Sequence, residues 1–199
     1  MLLDRGAGVH TESEALDPQN TLDTFYNFGN LYSDQGKLKV AEVMYQRALA
    51  GYEKALGPDH TSTLDTVNKL GVLYFDQGKL EVAEEMYQQA LVGYEKALGP
   101  DQMSTLDTVY NLGLLYSDQG KLKAAEGMYQ RALAGREEAL GPDHTSTLNI
   151  VNNLGNLYYN QGKLKEADEM YQRALAGYEK ALGQAEGGRG DVPASTGRL

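Results

Sequence analysis

Marking only the apolar positions between residues 57 and 98 draws two helical stripes. Leu64, Val67, Leu70, Gly71 and Tyr74 follow one another at steps of 3, 3, 1 and 3, which places them along one face of an α-helix. Leu80, Ala83, Tyr87, Ala90, Leu91, Tyr94 and Leu98 form a second, wider stripe. The pattern predicts helix A to about Asp76, a turn at Gln77-Gly78, and helix B from about Lys79 to Leu98. Ahead of helix A, Gly57-Pro58 closes the preceding helix, because Gly accepts the left-handed position after a helix end and Pro cannot continue the ladder. Thr61 or Ser62 is the predicted N-cap, and Ser62-x-x-Asp65 has capping-box spacing. Gly71 and Ala83 are small where the two helices must approach closely.

The same pattern returns. Gly29, Gly71, Gly113 and Gly155 recur every 42 residues, and a fixed period of this size marks a stacked-repeat architecture. The units are 16–56, with an altered opening, then 57–98, 99–140 and 141–183. One hairpin cannot bury both of its apolar stripes, so neighbours must stack. Residues 1–15 lack periodicity and are expected to be disordered, as is the Gly-rich tail 184–199. That tail offers no capping helix, so the last helix B is expected to expose Tyr171, Leu175 and Tyr178. Either the chain is part of a longer array or this end pairs with something; self-association through uncapped ends is one possibility.

Composition narrows the function. The net charge of −10 opposes nucleic-acid binding. Without Cys there are no disulfides, thiolate metal sites or cysteine nucleophiles. No run approaches the ~20 apolar residues of a membrane span, and the N-terminus lacks a basic start followed by an apolar run. A cytoplasmic protein without membrane or nucleic-acid partners is expected. His10 lies in the aperiodic start, while His60 and His144 repeat in the joints, where they serve the turn. Neither a metal site nor a catalytic cluster is expected, the carboxylates are spread over solvated faces, and no phosphate-binding glycine pattern occurs. The prediction is therefore a non-enzyme without cofactors. Arg189-Gly190-Asp191 matches an adhesion tripeptide and is read as coincidence.

Val67-x-x-Leu70-Gly71-x-x-Tyr74 followed by Ala83-x-x-x-Tyr87 resembles the tetratricopeptide signature W-x-x-L-G-x-x-Y … A-x-x-x-F. Two departures stand out. The Trp position holds Phe25, Val67, Val109 and Val151, and the Pro that usually ends helix B falls at Glu95, with the stop delayed to Gly99-Pro100. The longer unit, best seen in 152–175, is similar to the repeats of kinesin light chains, and closer still to the arrays of fungal NLR-type signalling ATPases. The resemblance covers residues 16–183. It implies an all-α, right-handed superhelix of four stacked helical hairpins that binds a protein or peptide partner.

In that architecture the A helices line a concave groove, and five positions of each face it. Carried onto this chain, they are Asp23, Tyr26, Asn30, Ser33 and Asp34 in the first unit, and Asp65, Asn68, Val72, Phe75 and Asp76 in the second. The third contributes Asp107, Tyr110, Leu114, Ser117 and Asp118, and the fourth Asn149, Asn152, Asn156, Tyr159 and Asn160.

A comparison among the units agrees with that face. Leu22, Tyr32 and Met44 are identical in all four copies, whereas the positions of Tyr26, Asn30 and Ser33 differ. Those three are four and then three residues apart, hence on one helical face. Drift at solvated positions rarely puts Val72, Phe75, Leu114 and Tyr159 in water together, so a binding face is expected. A second variable set at Val43, Glu85, Gly127 and Glu169 reads as ordinary drift.

The face carries Asp in three units, with Lys69 as its one nearby cation. Kinesin light chains take acidic peptides in basic grooves; this groove has the opposite sign. The expected ligand is a neutral or basic segment with one or two bulky apolar anchors near Phe75 and Leu114. The alternative is a sensor or oligomerisation arm of a larger NLR-like protein, or a kinesin-light-chain-like adaptor.

Overall fold

The computed structural model describes residues 18–187, and side-chain surroundings for 19–183. The described residues form eight α-helices and no strand: α1 Pro18–Asp34, α2 Leu38–Leu56, α3 Thr61–Asp76, α4 Leu80–Ala97, α5 Met103–Asp118, α6 Leu122–Leu140, α7 Thr145–Asn160 and α8 Leu164–Gly187. They pair as four hairpins, α1 with α2 through α7 with α8, each stacked on the next. None of these helices is long and apolar enough to cross a membrane. Helix α8 runs on to Gly187, past the end of the periodic pattern; the segments 1–17 and 188–199 lie outside the described residues.

Each hairpin is fixed by its glycines and by a close contact. Gly57 adopts φ 93°, which L side chains rarely tolerate, and its N–H bonds back to the carbonyls of Tyr52 and Glu53. A Cβ on Gly71 would lie 2.6 Å from the Tyr87 ring, so the predicted small residue is what lets α3 and α4 meet. The same holds for Gly93 on α4, where a Cβ would lie 2.2 Å from Leu64. The apolar stripe of helix B does not reveal that second close approach.

The helix start differs from the sequence expectation. The N-cap of α3 is His60, whose Nδ1 accepts from the Ser62 N–H at 3.2 Å, and His144 does the same for Ser146 in α7. Thr61 already belongs to the helix, and Asp65 makes no capping box, since its carboxylate accepts from Tyr94 instead. The next residue in the turn chemistry is Thr63, whose hydroxyl donates to the Gly57 carbonyl at 2.8 Å. Thr105 and Thr147 repeat this bond to Gly99 and Gly141, tying each A helix to the joint before it.

Between units the core is continuous. Leu73, fully buried, packs with Ala41 and Tyr45 of the preceding hairpin in one cluster that also includes Leu112 and Leu115 of the following one. Burying each such leucine contributes about 1.5–3 kcal/mol. The Trp-position valines Val67, Val109 and Val151 are also fully buried.

A polar latch lies beside this core. Glu42 of α2 accepts from Gln77 at 3.1 Å, from Tyr74 at 3.2 Å, and pairs with Lys79 at 3.5 Å. Glu84 and Glu126 repeat the arrangement with Gln119 and Lys121, and with Gln161 and Lys163.

The last helix exposes apolar surface at its leucines more than at its tyrosines. Leu175 is 58% exposed, but Tyr171 and Tyr178 are half-buried. Their hydroxyls donate to Asn156 at 2.8 Å and Asn149 at 2.6 Å, both on the A helix of their own hairpin.

Candidate functional site

The predicted face begins with a polar pair inside each hairpin. Asp23 of α1 accepts from the Tyr52 hydroxyl at 2.6 Å, and Asp65 of α3 accepts from Tyr94 in the equivalent bond. In the third unit Arg136 takes the tyrosine's place and donates to Asp107; in the fourth the acid becomes Asn149, bonded to Tyr178. Burial and the adjacent Asp65 carboxylate push the Tyr94 phenol up, and Tyr52 is shifted the same way beside Asp23. Both therefore stay neutral donors at ordinary pH. The aspartates are thus anchored at a fixed angle on the face. Helix B supplies the anchors, a role that the A-helix pattern gives no hint of. The signal was in the repeat itself, since each partner sits 29 residues after its acid.

Arg136 also revises the charge of the face. Lys69 is not its only cation: Arg136 is 8% exposed and its guanidinium lies 5.4 Å from the Tyr110 ring centroid. It neutralises Asp107 locally, so within the row Asp23, Asp65 and Asp107 the unpaired negative charge lies on the first two units.

Two depressions follow one another there. The first, about 290 Å³, is lined by Asp23, Tyr26, Asn27, Tyr52, Ser62 and Asp65. The second, about 240 Å³, is lined by Tyr26, Asp65, Asn68, Lys69, Tyr94, Ser104 and Asp107. Tyr26 and Asp65 belong to both, so the two form one trough crossing from the first unit to the third. Burial and then the Asp65 charge push the Tyr26 phenol up, against a smaller opposing effect of Asn30. It too remains a neutral hydrogen-bonding group.

The other predicted positions fall outside these hollows. Asn30 accepts from the Tyr45 hydroxyl at 2.7 Å, and Asn156 from Tyr171. The Tyr110 hydroxyl accepts from the Asn153 amide at 2.7 Å. Asn152 is half-buried, and Asp76 and Asp118 sit exposed at the ends of their helices. The apolar members are not all in water together as expected. Val72 and Phe75 are half-buried against the cluster around Leu73, and Leu114 is half-buried against a further cluster that includes Val109, Ala125 and Ile150; of these four only Tyr159, 61% exposed, stands free. The half-burial follows from stacking, because residues on an inner helical face also touch the neighbouring unit.

Among the described residues no group of three or more His, Asp or Glu side chains is placed to hold a metal ion. What the face offers is hydrogen-bonding amides and phenols, fixed carboxylates and partly covered apolar side chains. That inventory suits recognition of another chain.

Comparison with known proteins agrees with the geometry. Among curated proteins none matches the chain. Solved structures with the same fold include BtubC (BKLC) from P. vanneervenii, 24% identical with a TM-score of 0.75, the match covering 94% of this chain and 73% of that one. A putative kinesin light chain from Podosopora anserina with nearly identical TPR-like repeats is 23% identical with a TM-score of 0.72, over 83% of this chain and 78% of that one. MamA is 22% identical with a TM-score of 0.61, over 83% and 82%. At these identities the likeness is one of fold. The tetratricopeptide-repeat profile matches three overlapping stretches, residues 20–96, 66–138 and 104–180. With the 42-residue period, the eight stacked helices and that profile running through nearly all of the solenoid, the chain belongs to the tetratricopeptide-repeat family, whose members are built as protein-interaction scaffolds.

Proposed function

We propose that the chain is a non-catalytic scaffold that holds an extended segment of a partner protein along its A helices. The observation that carries this reading is the trough shared by Tyr26 and Asp65, in which aspartates repeated through three units stand beside Tyr26, Asn27, Asn68 and Lys69, positions at which otherwise near-identical units differ. Its polar groups can bond a peptide backbone that has no secondary structure of its own. The charge distribution supports an orientation as well. Asp23 and Asp65 carry their charge opposite tyrosines, whereas Asp107 faces Arg136 and the fourth unit has Asn149. A basic stretch of the ligand then lies over the first two units. The apolar anchors lie toward Phe75 and Leu114, whose half-exposed surfaces a bulky side chain would finish covering. Of the cations on this face, Arg136 is taken up by Asp107, and Lys69 alone does not make the paired clamp that a C-terminal carboxylate would need.

A displayed library of extended peptides tests the reading. Selection on the wild-type chain is expected to return neutral or basic sequences with one or two large apolar residues. Binding is expected to fall at least about tenfold for Asn68→Ala combined with Asp65→Asn, with helical content unchanged. Selection of acidic sequences alone, or unchanged binding by this variant, would remove the groove from the account.

A further inference from the structure

We propose that copies of this chain join head to tail, α8 of one copy receiving α1 and the α1–α2 turn of the next. The inference is independent of the groove reading. It rests on a comparison between the ends of the solenoid and the three joints inside it.

Inside the chain the incoming unit brings two apolar residues to each joint. At the first joint these are Leu70 and Leu73, 2% and 0% exposed. One period earlier, at the front end, the same positions are Phe28 and Leu31, and they are 42% and 47% exposed. With Thr24 and Asn27 they line a shallow depression of about 200 Å³. The receiving helix B brings a leucine: Leu49 and Leu91 are half-buried within the core clusters, while their counterpart on α8, Leu175, is 58% exposed. Each end therefore presents one half of a joint the molecule has already made three times, and the two halves are different, so they fit each other and not themselves.

The polar latch is split in the same manner. Tyr32, Gln35 and Lys37 occupy at the front the positions that Tyr74, Gln77 and Lys79 use to hold Glu42. Lys37 already lies over the Tyr32 ring at 5.6 Å, as Lys79 lies over Tyr74 at 4.9 Å, but among the described residues it has no carboxylate in an ion pair. At the back, Asp168 takes the position of Glu126. The helix-B ion pairs also continue. Arg131 pairs with Glu95 at 2.7 Å and Arg173 with Glu137, one joint apart; the same register leaves Arg47 at the front and Glu179 at the back. A front bearing Lys37 and Arg47 thus meets a back bearing Asp168 and Glu179. Opposite charge across the contact fixes the register and rejects front-to-front or back-to-back pairing. Because the two surfaces differ and each hairpin packs on the next in chain order, the contact propagates into an open chain of copies rather than closing as a two-fold dimer.

The test uses the full chain and two variants, each spoiling one end: Leu31→Glu at the front and Leu175→Glu at the back. Both positions are exposed in the single copy, so far-UV circular dichroism is expected to match wild type. Wild-type mass in sedimentation velocity is expected to rise with concentration. Each variant alone is expected to associate at least about tenfold more weakly. An equimolar mixture of the two is expected to form a species of twice the monomer mass that grows no further, since one live front meets one live back. The pair Arg47→Glu with Glu179→Arg in one chain is expected to restore association that either change alone weakens. A wild-type chain that stays monomeric at every concentration, as it would if its own terminal segments covered the ends, overturns the proposal. So does self-association of Leu31→Glu or Leu175→Glu equal to wild type, which would assign the contact to another surface.

Discussion

Gly71 and Gly127 sit in helices where propensity alone would favour alanine, and the packing around them separates their roles. A side chain at Gly71 would meet the buried Tyr87 ring, whereas nothing lies within 4 Å of a Cβ at Gly127. Gly71→Val is therefore expected to cost about 2 kcal/mol through overpacking, and Gly127→Ala to add about 0.5–1 kcal/mol. Urea unfolding followed by circular dichroism reads both, and equal effects of the same sign would refute the assignment. The Gly71 role is visible in the sequence because it falls within a helical stripe. That of Gly93 is not, because only the pairing of α3 with α4 shows Leu64 pressing on it. The histidine caps were hidden for a related reason. His60 is a less common N-cap than Ser or Thr, and both of those stand just after it.

At the scale of elements, joints between hairpins combine an apolar contact with a latch centred on Glu42, Glu84 and Glu126. Burial raises each carboxyl, but hydrogen bonds from the glutamine and the charge of the lysine in the next unit outweigh it, and the net shift is downward from the usual 4.5. A carboxylate depressed in the folded state contributes stability above its unfolded pKa, and loses it as pH falls through the folded one. The melting temperature is thus expected to hold from neutral pH down to about 5 and to fall below about 4.5. Glu84→Gln is expected to lower it at neutral pH and to flatten the acid decline; an unchanged acid profile would show that this latch contributes nothing. The 42-residue period made the stacking legible, since a hairpin with two apolar faces has no other way to cover them. The latch was not legible, because its members lie 35 and 37 residues apart on surfaces that look merely solvated until neighbours meet.

For the whole molecule, the repeat that fixes the fold also frees one face to vary. The sequence located that face on the A helices, and Tyr26, Asp65, Asn68 and Asp107 do come together in one trough. It misjudged the apolar positions, because stacking half-covers Val72, Phe75 and Leu114 against neighbouring units. It also missed Arg136, which reaches the face from α6. The central claim, that this trough is where a partner lies, is tested most directly by titrating isotope-labelled chain with a peptide selected from the library and following amide chemical shifts. The account predicts the largest changes at Tyr26, Asp65, Asn68 and Asp107 along α1, α3 and α5. Shifts confined to the outer faces of α2, α4 and α6, or to the two ends, would contradict it.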